Sequence, residues 1–295
     1  MAMSLMAAKS AVLVGCARNC EPYLDRVLAN MALVASQFAE AAFVFVENDS
    51  ADATAARLQA FGGGQAHFFL EQLPGLAQRH RGRTERLAVA RNHYLKVIRE
   101  SRLREFDYLL VFDMDEVNGA AQPLDNFLRA IGFLESAPDH AAVFANQAGC
   151  YYDMWALRHA RACPGDVWEE VFDYALAHAV SDQAAFDATF AKRIFKLGRD
   201  SAPVEVDSAF GGLGIYRMAS VLEGEYIGRR DKAIVAAGRT HHLLWQVCEH
   251  VSFHAAIRAR GGRLFIAPWL LNAQCTANFP PSAFRGLYRV LEAPP

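Results

Sequence analysis

The chain is predicted to be an α/β protein: a mainly parallel central sheet flanked by helices, with a smaller irregular portion in its second half. Three observations predict this. Strand-length apolar runs alternate with helix-period segments through residues 1–120, the pattern of parallel strands joined by crossover helices. Runs such as AVLVG at 11–15 and YLLVF at 108–112 are apolar at every position, as strands covered on both faces are. Hydrophobic residues make up 53% of 295 residues, with 20 Phe, and charged residues 21%, enough apolar surface for a large core and too little charge for a disordered chain.

Residues 11–15 form the first strand. Segment 22–38 follows as a helix, with Pro22 suited to its first turn and Leu24, Val27, Leu28, Met31 and Phe38 at helical spacing. A second strand at 43–46 runs into Glu47, Asn48, Asp49 and Ser50, a polar loop able to cap a helix over 53–61. Three glycines at 62–64 stop that helix, and 67–70 reads as a third strand. A basic stretch from Arg79 to Arg86 leads into a helix over 85–100, and strand 108–112 is followed at once by Asp113, Met114, Asp115 and Glu116. Ligands of such sheets bind beyond the carboxyl ends of the strands. The polar exits at Arg18 and Asn19, at 47–50 and at 113–116 are therefore expected along one rim.

The second half is less regular. Strands are expected at 141–147, 204–206, 213–216 and 264–267, and helices at 169–180, 182–190 and 248–260, the last stopped by Gly261 and Gly262. The aromatic and acidic YYDMW lies at 151–155 and DSAFGG at 207–212. Prolines at 280, 281, 294 and 295 mark 280–295 as a loose tail. One domain over 1–295 is expected, with halves 1–120 and 121–279.

A net charge of −2 excludes long-range attraction to nucleic acid or an anionic membrane. No run approaches the ~18 apolar residues of a spanning helix, and the N-terminus lacks the arrangement of a signal peptide. Cysteines at 16, 20, 150, 163, 248 and 275 are scattered, which argues for buried thiols in a reducing compartment. Cys16 and Cys20 have no second pair at ligand spacing, so zinc is not expected. The expected location is cytoplasmic, with attachment to the periphery of the inner membrane as a further option.

The chemical signal is the D-x-D at 113–115. Residues i and i+2 of an extended backbone point the same way, so two carboxylates converge at a strand exit and Met114 points opposite. A hard divalent cation, Mn²⁺ or Mg²⁺, suits such a pair, with phosphate oxygens completing its shell. A solvated acidic turn is the plain alternative. D-x-D after an apolar strand also occurs in haloacid-dehalogenase-like phosphatases, where Asp113 would be a nucleophile and Asp115 a general acid. That motif normally lies on the first strand of its core and needs a later Lys, for which Lys192 or Lys196 could serve, and a further acidic pair after strands, for which no convincing match follows here.

Several segments together resemble glycosyltransferases of the GT-A fold. Residues 11–60 resemble their nucleotide-binding start and RLAVARNHYL at 86–95 the helix they place before the D-x-D strand, while YYDMWALR at 151–158, DSAFGGLGIYR at 207–217 and CEHVSFH at 248–254 resemble the capsule-associated alpha-mannosyltransferase group and its bacterial and viral relatives. The resemblance implies a metal-dependent enzyme moving a sugar from a nucleoside-diphosphate sugar, UDP- or GDP-linked, to a hydroxyl of a glycan or lipid-linked glycan. Residues 1–120 would then hold the nucleotide and 121–279 the acceptor. Polysaccharide biosynthesis would be the setting. A non-catalytic nucleotide-sugar binding protein on the same fold is the other reading.

The resemblance also implies roles. Glu47 and Asp49 would face base or ribose, helix capping being their plain alternative. Arg18, Arg86, Arg91 and Asn92 would bind the donor, with guanidinium forks suited to phosphate. Asp113 would contact ribose and metal, and Asp115 the metal. Asp153 and Trp155 would floor the acceptor site, Asp207 would bond a sugar hydroxyl, and Gly211 and Gly212 would let backbone approach the sugar. Glu249, in the first turn of a helix, would deprotonate the acceptor hydroxyl if configuration inverts, and only position the acceptor if it is retained. His250 and His254 read as buried hydrogen-bonding histidines. Where many GT-A enzymes place a metal-binding His, this chain reads APWLLNAQ with Asn272, which leaves the third metal ligand open.

Overall fold

A computed structural model describes residues 6–236, 238–275 and 288–291. Its main sheet has eight strands in the order β3-β2-β1-β4-β7-β5-β10-β6. The strands are β1 (Ser10–Ala17), β2 (Glu40–Glu47), β3 (Phe68–Gln72), β4 (Tyr108–Asp113), β5 (His140–Gly149), β6 (Val204–Val206), β7 (Leu213–Arg217) and β10 (Arg263–Cys275). β1 pairs in parallel with β2 and β4, β2 with β3, and β5 with β10; β7 lies antiparallel between β4 and β5. The expected mainly parallel sheet is thus present, and the β4–β7 pairing sews the two halves of the chain into one layer.

Helices cover both faces, as strands apolar at every position require. On one face α1 (Glu21–Ala35), α2 (Thr54–Gly62) and α4 (Leu124–Glu135) lie over a core that includes Leu24, Met31, Phe45, Phe112 and Phe127. The other face carries α3 (Arg83–Arg99), α5 (Val167–His178), α6 (Asp182–Ala188) and α7 (Glu249–Arg258), packed around Tyr94, Phe144, Tyr216, Phe253 and Trp245. Burying each such side chain contributes about 1.5–3 kcal/mol. α3 starts at Gly82, whose N–H is accepted by Glu85 three residues on, which ends the helix without an unpaired amide there.

Two features lie beyond the expected elements. A second, three-stranded sheet joins β8 (Arg229–Ala236), β9 (Arg239–Gln246) and β11 (Tyr288–Leu291). It clamps α3 to α5: Thr84 Oγ1 donates to Gly228 O at 2.6 Å, and Lys232 reaches Glu169 at 2.6 Å. β10 runs 13 residues, well past the expected 264–267, with register shifts against β5. In the expected tail, 288–291 is a strand on β9; the rest of 280–295 lies outside the described residues. No helix among the described residues is long and apolar enough to cross a membrane.

Candidate active site

Strand register builds the rim. Cys16 pairs with Asp113 and Ala17 with Glu47, so β1, β2 and β4 end level and their exits share one edge. Met114 is buried beneath the sheet's end while Asp113 is partly exposed and Asp115 exposed, the alternation an extended D-x-D demands.

Arg91 is the centre of the site. It projects from α3, 2% exposed, and bonds two carboxylates from different elements: Nη2 to Asp113 Oδ1 at 3.1 Å and Nε to Glu249 Oε1 at 3.0 Å. Its guanidinium also lies 5.1 Å from the Phe210 ring centre and 5.8 Å from that of Tyr226. Burial would disfavour its charge, but the surrounding anionic groups hold its pKa well up. Glu249 sits in the first turn of α7, as expected, but is only 3% exposed and shares its carboxylate with Arg91.

Two further carboxylates face this cluster. Asp153 accepts Gly211 N–H at 3.0 Å and Ala156 N–H at 3.3 Å. Loss of water around it pushes its carboxyl up to about 6, with Asp113 and Glu249 adding to the shift and the two amides opposing it. Asp115 is pushed up to about 6 as well, first by the chain's exclusion of water on its inner side and then by Asp113; Arg83 and the Val117 N–H, 3.2 Å away, pull the other way. Two carboxylates therefore hold one buried guanidinium, and two more lie close enough to Asp113 to feel its charge. That excess of negative charge fits a divalent cation at Asp113 and Asp115. Among the described residues no three His, Cys, Asp or Glu come together as a metal site, so the remaining ligands would be substrate oxygens or water. Asn272 does not supply one: its amide points inward, to Gly211 O at 2.7 Å and Asn118 Oδ1 at 3.2 Å.

The turn at Gly211 and Gly212 adjoins Asp113, whose N–H donates to Gly212 O at 2.8 Å. Both glycines have left-handed backbone, φ +66° and +83°. The reason for glycine differs from the expected one. A Cβ at Gly211 would lie 2.6 Å from Ala145 O, and one at Gly212 2.5 Å from Val117 Cγ1. Tight packing within the protein, together with the positive φ, by itself requires glycine here.

Other expected site residues lie apart from this cluster. Glu47 is buried and accepts Ser50 N–H at 2.9 Å. Asp49, itself at φ +52°, takes the N–H groups of Gly75 and Ala77. Both cap loops at the rim. Exposed Arg18 and Arg83 lie near Arg86, and burial plus these two charges lower the Arg86 pKa; Arg86 donates to His80 O and Arg81 O. Asn92 spends its amide on both backbone groups of Tyr226 at 2.9 Å. Asp207 pairs with Arg258 at an exposed edge, and Trp155 donates to Asp166 at 3.0 Å. His254 is buried between Ser208 Oγ and Tyr216 Oη at 2.8 and 2.9 Å, as expected. His250 stacks on Phe210; burial and Arg91 keep it neutral.

Phe210, Tyr226, Gln147 and the inward role of Asn272 were missed. Only a contact map could have found them, since a lone buried amide or aromatic carries no sequence pattern.

Comparison with solved structures bears on the fold. The mannosyltransferase PcManGT from Pyrobaculum calidifontis, in complex with GDP-Man and Mn²⁺, matches over 94% of this chain and 60% of its own, at 13% identity and a TM-score of 0.51. Glucosyl-3-phosphoglycerate synthase from Mycobacterium tuberculosis, in complex with Mg²⁺ and UDP, matches over 96% of this chain and 76% of its own, at 12% identity and a TM-score of 0.46. No family model and no curated protein sequence matches. The fold is that of the GT-A glycosyltransferases. This chain spans about three fifths of the mannosyltransferase chain.

Proposed function

We propose that this protein is a metal-dependent glycosyltransferase, moving a hexose from a UDP- or GDP-sugar to a hydroxyl of a glycan or lipid-linked glycan. The observation that carries this reading is the grouping of Asp115 and Asp153 near Asp113, itself held by the buried Arg91, at the carboxyl end of β4. The GT-A fold, and the segments that resemble capsule-associated alpha-mannosyltransferases, support it. The phosphatase alternative is not favoured, because this D-x-D stands on the fourth strand of a GT-A sheet with its first Asp held by a buried arginine.

Asp113 and Asp115 would hold the cation, whose charge would offset that of the diphosphate leaving group. Arg18 and Arg86 add positive charge at the nucleotide side of the rim, where Glu47 and Asp49 shape the loop for base and ribose. Arg91 fixes Asp113 in place. The acceptor hydroxyl attacks the anomeric carbon, the bond from that carbon to the phosphate oxygen breaks, and the hydroxyl proton passes to the departing diphosphate oxygen. Asp153 faces the sugar and acceptor, with Trp155 beyond it. Glu249 takes the acceptor proton only if Arg91 yields it; as placed, it orients Arg91, which suits a retaining reaction with no separate base.

A thermal-shift panel of UDP-, GDP- and dTDP-sugars, with and without Mn²⁺, tests the reading. One donor class should raise the melting temperature only when metal is present. Equal, absent shifts across the whole panel would remove the proposal.

A further inference from the structure

The turn at Gly211 and Gly212 is held by side chains on every side. Gly211 O accepts Gln147 Nε2 at 3.1 Å and Asn272 Nδ2 at 2.7 Å. Gly212 O accepts Asn118 Nδ2 at 2.7 Å besides the Asp113 N–H. The three amides also bond one another: Gln147 Nε2 to Asn272 Oδ1 at 3.0 Å, and Asn272 Nδ2 to Asn118 Oδ1 at 3.2 Å. Asn118 Nδ2 reaches Asp113 O at 2.9 Å, and Gln147 Oε1 accepts the Tyr152 N–H at 3.2 Å.

These amides come from three places: the loop after β4, strand β5 and strand β10. Each is at most 2% exposed. Burying primary amides costs free energy unless their bonds are made, and apolar side chains would fill the space at less risk. What an apolar side chain does not do is fix the direction of a carbonyl. Here two successive carbonyls are fixed, in a turn that touches both sides of the site. Its Gly212 end is bonded to Asp113, and its Gly211 N–H to Asp153.

We infer that Asn118, Gln147 and Asn272 are positioning residues that set the separation between the diphosphate side of the site, Asp113 and Asp115, and its sugar side, Asp153. The inference rests on the glycosyltransferase reading above. Asn272 ties the turn to the loop after β4 through Gly211 O and Asn118 Oδ1.

A role in spacing has a signature that plain stabilisation lacks. A bare nucleoside diphosphate touches one side of the site; a nucleotide sugar spans both. The test is calorimetric titration with Mn²⁺ of UDP against UDP-glucose and of GDP against GDP-mannose, on wild type, Asn272→Ala and the milder Asn272→Ser. Asn146→Ala is the control. Asn146 is an equally buried amide on the neighbouring position of β5, bonded instead to Leu197 O and Pro268 O.

Both Asn272 variants should bind the bare diphosphate within about twofold of wild type and the nucleotide sugar about tenfold more weakly. Asn146→Ala should lose comparable melting temperature with the ratio of the two affinities unchanged. Affinities that fall together in the Asn272 variants, or a ratio that shifts equally in Asn146→Ala, would overturn the spacing role alone. Wild-type protein that binds neither UDP nor GDP with Mn²⁺ would overturn the donor reading and this inference with it.

Discussion

In the first half of the chain, site residues are placed by ladders. Ala17, Glu47 and Asp113 end three adjacent parallel strands whose registers match residue for residue, and each polar exit follows from where its strand stops. In the second half, segment 207–212 belongs to no strand. Its two ends touch a neighbour's backbone, Asp207 N–H at Arg158 O (2.7 Å) and Gly212 O at the Asp113 N–H (2.8 Å); otherwise Tyr151, Asp153, Gln147, Asn272 and Asn118 each hold one of its backbone groups. A ladder tolerates side-chain change as long as the strand survives, whereas a turn wired by side chains depends on each of them.

The first test of this contrast is Asp113→Ala. Placed by its strand, the carboxylate is dispensable for folding, and the variant should keep its circular dichroism spectrum. Metal-dependent binding of the donor should fall about a hundredfold or more, because the cation loses one of its two protein ligands. Nucleotide binding with Mn²⁺ that survived in calorimetry would show that the rim does not hold the ion.

Arg91→Met should have the largest effect on stability. It leaves the carboxylates of Asp113 and Glu249 facing each other with no cation between them, and removing one partner of a buried pair costs about 3–5 kcal/mol. Denaturant unfolding measures it. Adding Glu249→Gln to Arg91→Met should recover part of the loss, since one of the two stranded charges is then gone. A loss below about 1 kcal/mol would be that of an exposed pair and would contradict the burial of this one.

Gly212→Ala probes the wired turn. The left-handed backbone and the approach of Val117 Cγ1 together should cost about 2 kcal/mol. Unlike Asp113→Ala, this variant should lose stability and donor-sugar binding in parallel. Intact sugar binding in a destabilised Gly212→Ala would break the link between turn and site.

The same contrast explains what the sequence disclosed. Apolar runs and helix-period segments locate β1, β2, β4, α1 and α3, and the rule that ligands sit at strand carboxyl ends turns those locations into a rim. Asp113, Asp115 and Arg91 were legible because the first two terminate a strand and the third lies on the helix before it. Hidden were the contacts joining segments far apart in the chain: Arg91 with Glu249, 158 positions away, and Asn118 with Asn272, 154 away. Asn92 beside Arg91 shows the limit. Adjacent residues on a helix point about 100° apart, and the resemblance that pairs them as donor ligands does not tell which one faces the rim. The β8–β9 hairpin was missed because RRDKAIVA puts charge on both faces and RTHHLLWQ mixes apolar with polar residues on each, which weakens the period-2 signal.

The smallest expected effect belongs to Asp115→Asn, and it separates binding from folding most sharply. The carboxyl of Asp115 is raised to about 6 from an ordinary 3.8, so its ionised form is less favourable in the folded protein than in the unfolded chain. Below about pH 4 both states are protonated and the residue contributes nothing to stability. Between there and pH 6 the unfolded chain releases its proton first, and stability is drawn down; above pH 6 the full penalty is present. Asp115→Asn removes that penalty, so it should melt slightly higher than wild type at pH 7, with the gain shrinking towards zero as pH falls to 4. The side chain is exposed, and solvent screening keeps the shift to a degree or so, small against about 2 °C per kcal/mol for a chain of this length. Added Mn²⁺ should raise the melting temperature of wild type in the presence of the donor's nucleoside diphosphate and leave that of Asp115→Asn unmoved. A residue that weakens the fold without metal and strengthens it with metal is one kept for binding; a variant less stable than wild type at pH 7 would instead make Asp115 the cap of its own loop through Val117.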